Sequence, residues 1–188
     1  MRICALEISG LLEILPGKIE DERGYFSEIF RKDQFQEQAG PVEFVQDNQS
    51  LSVRVGTIRG VHFQTPPAAQ GKLVRCLAGA IYDVAVDLRQ DSPTFGGWLA
   101  VTLLPELNNQ LWIPAGFGHA FCTLLPDSIV CYRVTSCYSA PHDSGVAWDD
   151  PDIGITWPDM ADPQTLSAKD QNQAALADFP TIFSIGVS

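Results

Sequence analysis

Apolar and polar residues alternate along most of this chain in short runs, and Gly, Pro, Asn and Asp close the runs. Residues 1–15 carry Ile3, Leu6, Ile8, Leu11, Leu12, Ile14 and Leu15, divided at Gly10 and stopped at Pro16, which predicts two short strands. DERGYFSEIF (21–30) predicts a turn at Asp21–Gly24 and then an alternating strand. RKDQFQEQA (31–39) has helical composition and meets Gly40–Pro41, so a short helix is expected there. VEFVQDNQSLS (42–52) reads as a strand until Asp47–Asn48. KLVRCLAGAIYDVAVDLR (72–89) predicts two strands joined as a hairpin at Ala78–Gly79. In the second of them Tyr82, Val84, Val86 and Leu88 share one face, and Ile81, Asp83, Ala85 and Asp87 the other. DSPTFGG (91–97) is a turn cluster, WLAVTLL a strand and PELNNQ a polar turn. LWIPAGFGHAFCTLL (111–125) holds two strands about a Pro-Gly kink, and DSIVCYRVTSCYS (127–139) one more. Beyond Pro141 the chain turns loop-like, with room for one short outer helix in 166–179.

Strands recurring at about eight- to twelve-residue spacing, with little helical periodicity, predict a mainly all-β fold. The expected architecture is a β-sandwich or jelly roll with a few short peripheral helices. At 188 residues, without internal repeat or linker, one domain over 1–188 is expected. The net charge of −11 repels phosphate backbones, so neither nucleic acid nor an anionic membrane is an expected partner. A small phosphorylated ligand needs only a local cationic cluster and stays open. No apolar run has the length of a membrane span, and the N-terminal stretch holds Glu7 and Glu13 and no small-residue cleavage site. Five cysteines without a CxxC spacing point to reduced thiols and a cytoplasmic location.

Candidate chemistry gathers in GTIRGVHFQTPPAAQGK (56–72), which packs Arg59, His62, Gln64, Gln70 and Lys72 into one run. Arg59 offers a planar fork for phosphate or carboxylate, His62 exchanges protons near neutrality, and Lys72 suits a developing oxyanion. Regular strand alternation would point Arg59 and His62 to opposite faces. A bulge or sharp twist at Gly60–Val61 is therefore expected, bringing both to one cavity with Lys72 arriving from the next strand. Downstream, IPAGFGHAF (113–121) carries a P-x-G-x-x-H half-motif around His119. With His62, His119 and His142 the only histidines, a metal set is poorly supplied, and none is expected. Tyr132 and Tyr138 would share a face of a regular strand, either as two core tyrosines with their hydroxyls satisfied at the rim or with one of them a proton donor opposite His62. Asp170 and Asp83 are the carboxylates able to orient a histidine.

The motifs DERGYFSE, FVQDNQS, TIRGVHFQ, AQGKLVRC, YDVAVDLRQDSPTFG, LWIPAGFGHAF and LSAKD, in this order from Asp21 to Asp170, give the chain a close resemblance to a known family. It resembles the dTDP-4-dehydrorhamnose 3,5-epimerases, cofactorless sugar-nucleotide epimerases of the cupin superfamily. The resemblance implies a cupin jelly roll and inversion of C3 and C5 of dTDP-4-dehydro-6-deoxy-D-glucose, in the synthesis of rhamnose precursors for envelope polysaccharides. It implies His62 as base, Asp170 as its partner, Tyr132 as acid and Lys72 as enolate stabiliser. Arg59, His119, Gln46 and Asn48 would surround the sugar and diphosphate, with Tyr138, Lys169 and Asp143 lining the rest. Arg23 and Glu28 would reach the nucleotide from a partner subunit, so a homodimer is implied, with residues of about 1–30 exchanged with or packed on the partner and a C-terminal helix or tail over about 166–188. Asp143 stands where Glu is usual. The rival readings are an epimerase acting at C3 only or C5 only, and a non-catalytic or metal-binding cupin.

Overall fold

The computed structural model describes residues 1–179, 183 and 184. Two antiparallel sheets form a sandwich. The first has six strands in the order β1 (Arg2–Ala5), β2 (Leu12–Leu15), β10 (Gln110–Ile113), β7 (Lys72–Ala78), β12 (Ser128–Val134) and β5 (Gln46–Ser52). The second has five: β13 (Asp143–Gly145), β6 (Ile58–Gln64), β11 (Phe117–Thr123), β8 (Ile81–Asp87) and β9 (Trp98–Leu103). A separate hairpin pairs β3 (Ile19–Asp21) with β4 (Gly24–Phe26), turning where DERG predicts. The single α-helix among the described residues, α1 (Lys32–Ala39), ends at Gly40 as expected. A mainly β sandwich is thus what the alternation predicts.

The space between the sheets is filled at one end by Leu11, Val74, Ile81, Ala85, Leu103, Leu111, Ile113, Phe117 and Val130. The outer face of the five-stranded sheet is covered by Val146, Ile153, Trp157 and their neighbours in the late loops. The helix residue Phe35, with Phe30 and Phe44, covers Leu73 and Trp112 on the outer face of the other sheet. Both sheets therefore have largely buried faces, and the remaining inter-sheet end is left open as a cavity.

Three expectations are corrected. β7 and β8 do not form a hairpin: β7 pairs with β10 and β12, β8 with β11 and β9, so Ala78–Gly79 carries the chain from one sheet to the other. A Gly-containing link between two strands signals a change of direction without saying which sheet the second strand joins. The strand in 42–52 begins rather than ends near Asp47–Asn48, because β5 pairs in register with β12 from Gln46↔Val134 to Ser52↔Ser128. Cross-strand pairing outweighs the poor strand propensity of Asp, Asn and Gln. Residues 166–179 hold two three-residue 3-10 turns, Asp170–Asn172 and Leu176–Asp178, in place of a short α-helix. Of the tail expected over 166–188, residues 180–182 and 185–188 lie outside the described residues.

Candidate active site

Two adjoining cavities of about 280 and 360 Å³ open at the end of the sandwich and share His62, Lys72, Tyr132 and Lys169. The second also meets Arg59, His119, Phe121, Ser167 and Asp170. The first meets Gln46, Asn48, Gln70, Tyr138 and Asp143.

The β6 strand is irregular where expected. Against β11, His62 pairs with His119 and Arg59 with Phe121, so two residues of β6 separate positions that one residue separates on β11. That extra residue resets side-chain parity, and Arg59 and His62 line the same cavity. Gly60 permits it. Its φ is +124°, and a Cβ there would lie 2.6 Å from the Ala120 Cα and 2.7 Å from the His119 carbonyl oxygen. Arg59 is exposed at the rim, its Nε donating to Ser52 Oγ (3.1 Å) and its NH2 to the Leu51 carbonyl (3.1 Å). Lys72 opens β7 and so reaches the cavity from the six-stranded sheet, not from a neighbouring strand of His62's sheet.

His62 and Asp170 meet at 2.5 Å, Nε2 to Oδ1. The His62 side chain is 32% exposed while that of Asp170 is 4% exposed. The Asp170 backbone N–H donates to Ser167 Oγ (3.1 Å), which anchors the turn that presents the carboxylate. Burial pushes the Asp170 carboxyl up, but the hydrogen bond and charge of His62, the Ser167 contact and Lys169 outweigh it, and the net shift is downward. A second histidine is held likewise: His119 Nε2 lies 2.7 Å from Asp83 Oδ1, both fully buried. Burial holds His119 below the ordinary histidine range, against the pull of Asp83. Lys72 donates to the His62 carbonyl (3.2 Å), and burial pushes its ammonium down to about 8 against the attraction of Asp83 and Asp143.

Tyr132 projects from β12 into the cavity that Lys72 and His119 line, its ring 6.4 Å from the His119 ring. Burial raises its phenol, partly opposed by Arg59, so it stays protonated at neutral pH. Tyr138 lies beyond the end of β12 at Val134, so strand parity does not relate it to Tyr132. It is placed instead by Gln46, whose Oε1 accepts from its backbone N–H (3.0 Å), and its hydroxyl donates to Asp143 Oδ2 (3.1 Å). The same Asp143 oxygen accepts from Lys169 Nζ (2.6 Å), bridging two loops at the cavity mouth. Gln46 Nε2 also donates to Asn48 Oδ1 (2.7 Å). Gln64 ties the 136–139 segment down, donating to the Cys137 carbonyl (3.2 Å) and accepting from Ser139 N–H (2.7 Å), and Gln70 donates to the Ser136 carbonyl (2.7 Å).

Of the residues singled out by sequence, eleven converge here, and Arg23 and Glu28 do not. Arg23 sits on the β3–β4 turn and pairs with its neighbour Asp21, and Glu28 is exposed beyond β4. Ser50, Thr57, Phe121, Thr165 and Ser167 line the cavity without having been singled out. Ser50, Thr57, Phe121 and Ser167 lie inside the motifs FVQDNQS, TIRGVHFQ, LWIPAGFGHAF and LSAKD, and Thr165 lies outside them all. Among the described residues, no three His, Cys, Asp or Glu side chains are grouped to hold a metal ion, and no helix is long and apolar enough to cross a membrane. All five cysteines are free thiols.

The family model described as dTDP-4-dehydrorhamnose 3,5-epimerase matches residues 5–178. A dTDP-4-dehydrorhamnose 3,5-epimerase of Sinorhizobium fredii is 52% identical over 95% of this chain and 91% of its own length. The crystal structure of a Legionella pneumophila dTDP-6-deoxy-D-glucose-3,5-epimerase in complex with dTDP-4-keto-L-rhamnose superposes with a TM-score of 0.90, at 38% identity and covering 97% of each chain. A dTDP-4-dehydrorhamnose 3-epimerase of Streptomyces niveus is 38% identical over 95% of this chain and 85% of its own.

Proposed function

Because the chain belongs to the dTDP-4-dehydrorhamnose 3,5-epimerase family, and is thus an epimerase of cupin-like fold, we propose that it inverts both C3 and C5 of dTDP-4-dehydro-6-deoxy-D-glucose. The product is dTDP-4-dehydro-L-rhamnose. One observation carries the reading: His62 projects from the five-stranded sheet and Tyr132 from the six-stranded sheet into one cavity. Inversion needs a base and an acid on opposite faces of a ring.

The C4 ketone acidifies the hydrogens at C3 and C5. His62 takes one of them, the C–H electron pair moves into a C=C bond, and the C4 oxygen becomes an enolate. Asp170 orients the imidazole and balances its positive charge. Lys72 and His119 face the developing oxyanion, where a charged or polar donor stabilises it most in a site shielded from water. Tyr132 returns a proton to the same carbon from the other face and regains its own from solvent, as His62 loses its proton to solvent. Atoms balance without a redox partner. Arg59, Gln46, Asn48, Tyr138, Asp143 and Lys169 hold the sugar and the nucleotide diphosphate.

The chain works as one domain, a homodimer in the cytoplasm. Support for the dimer is the β3–β4 hairpin, where Ile19 is 72% and Phe26 69% exposed beside the outward Arg23. Packed on a partner, that hairpin hides its apolar side and carries Arg23 and Glu28 to the partner's nucleotide.

Incubating the enzyme with the 4-keto substrate in deuterated water, followed by proton NMR, tests the reading. Deuterium is expected at both C3 and C5 with both centres inverted, and absence of exchange at either carbon overturns the double inversion. The 3-epimerase relative favours C3-only inversion as the second reading. Tyr132→Phe sharpens the distinction: it is expected to abolish inversion at C5 while exchange at C3 persists.

A further inference from the structure

We propose, resting on the epimerase reading above, that Asp83 is a positioning residue of the active site. It holds the His119 ring and sets a buried carboxylate's charge against Lys72 of the facing sheet, so that both groups face the C4 oxygen as charge develops there.

Asp83 lies in mid-β8, on the strand face that turns into the sandwich, flanked along that face by Ile81 and Ala85 of the apolar core. Its side chain is completely buried. Oδ1 accepts from His119 at 2.7 Å, while Oδ2 has no hydrogen-bond partner among the described residues. A buried carboxylate with an unsatisfied oxygen is costly, and an apolar residue of similar volume would make a more stable layer. Its hydrogen-bond partner His119 lines the cavity. His119 and Lys72 are both cavity-lining and nearly inaccessible, and they reach the cavity from opposite sheets. A positioned ring and an anchored ammonium are pre-organised, which saves reorganisation when the enolate forms.

The charged and titratable groups around Lys72 come from every packed element. They are Asp83 on β8, Asp143 on β13, Arg59 and His62 on β6, His119 on β11, Tyr132 on β12, Tyr138 beyond it, and Lys169 with Asp170 from the turn after LSA. Asp83 is the first of the two carboxylates that oppose the effect of burial on Lys72, and Lys169 works against them. In return, His119 and Lys72 restrain the rise that burial imposes on the Asp83 carboxyl.

Asp83→Asn keeps the volume and a hydrogen-bonding oxygen but removes the charge. In the full-length protein it is expected to lower kcat for exchange at C3 by about tenfold to a hundredfold, with KM within about threefold of the parent. In NMR of protein labelled with 15N-lysine, without substrate, the Lys72 ammonium is expected to titrate at lower pH than in the parent, and the basic limb of kcat to move the same way. A merely structural Asp83 would lower the melting temperature and leave the Lys72 titration in place. A parental kcat or an unmoved Lys72 titration overturns the proposal. Where the Asn variant does not fold, Asp83→Ser is read by the same two measurements. A parent enzyme that exchanges neither carbon strikes the epimerase reading instead, since the Lys72 titration is read independently of turnover.

Discussion

Two histidine–carboxylate pairs stand within one cavity, and their surroundings separate them. His62 is partly open to the cavity, and its partner Asp170 comes from a turn far along the chain, hydrogen-bonded through Ser167. His119 and Asp83 sit on adjacent strands, both closed off from solvent. Burial moves the Asp83 carboxyl up, whereas the Asp170 carboxyl moves down because its hydrogen bonds exceed its burial. The same two residue types thus yield one pair suited to accept and release a proton and one suited to stay fixed. Environment sets the role when the functional groups are identical.

The sharpest way to break this contrast is His62→Ala. It is expected to cost at least about 10³-fold in exchange at both carbons, with an unchanged circular dichroism spectrum, because His62 is partly exposed and packs little. Asp170→Asn is next. It leaves the base but not its orientation or charge balance, and a kcat loss of about 10² is expected in steady-state assays. Asp170 also links stability to pH. Its folded-state pKa is depressed, so its contribution is present above the unfolded value near 3.9 and is lost as pH falls through the folded value. The Asn variant should therefore be less stable by about 1–2 kcal/mol at pH 7 in urea titrations, with the difference shrinking in acid. A smaller effect is the basic limb. Lys72 must be charged to stabilise the oxyanion, so kcat is expected to be full below, and to decline as pH rises through, about 8. Least of all is chelation. Activity is expected to survive dialysis against a strong chelator, and loss restored by a divalent ion would instead support the metal-cupin rival.

The contrast between the two pairs also marks what the sequence could express. His62, Lys72 and the need for a bulge at Gly60 were legible because chemistry and strand parity are both local properties. Asp170 and Asp83 were both visible as carboxylates able to orient a histidine, yet which one meets which depends on strand order. That order was misread at Ala78–Gly79, where the chain changes sheet and no local residue reports the choice. β5 was misjudged at Asp47–Asn48 because its strand character comes from β12 rather than from its own side chains. Tyr138 escaped the parity argument because β12 stops at Val134, and the glutamines that hold the following segment come from two separate stretches.

The passage of the chain from β7 to β8 between sheets has one more consequence. Base and acid belong to different layers, so the strands that carry them are a layer spacing apart, roughly 10 Å in packed sheets. That spacing is upheld by side chains such as Val74, Ala85 and Leu111, which lie beneath the cavity and never meet the sugar. Selection on product stereochemistry therefore acts on the apolar interior as well as on the reactive groups. A methyl added at Ala85 or removed at Val74 would alter the ratio of singly to doubly inverted product, giving sequence drift in the core a route to a new sugar.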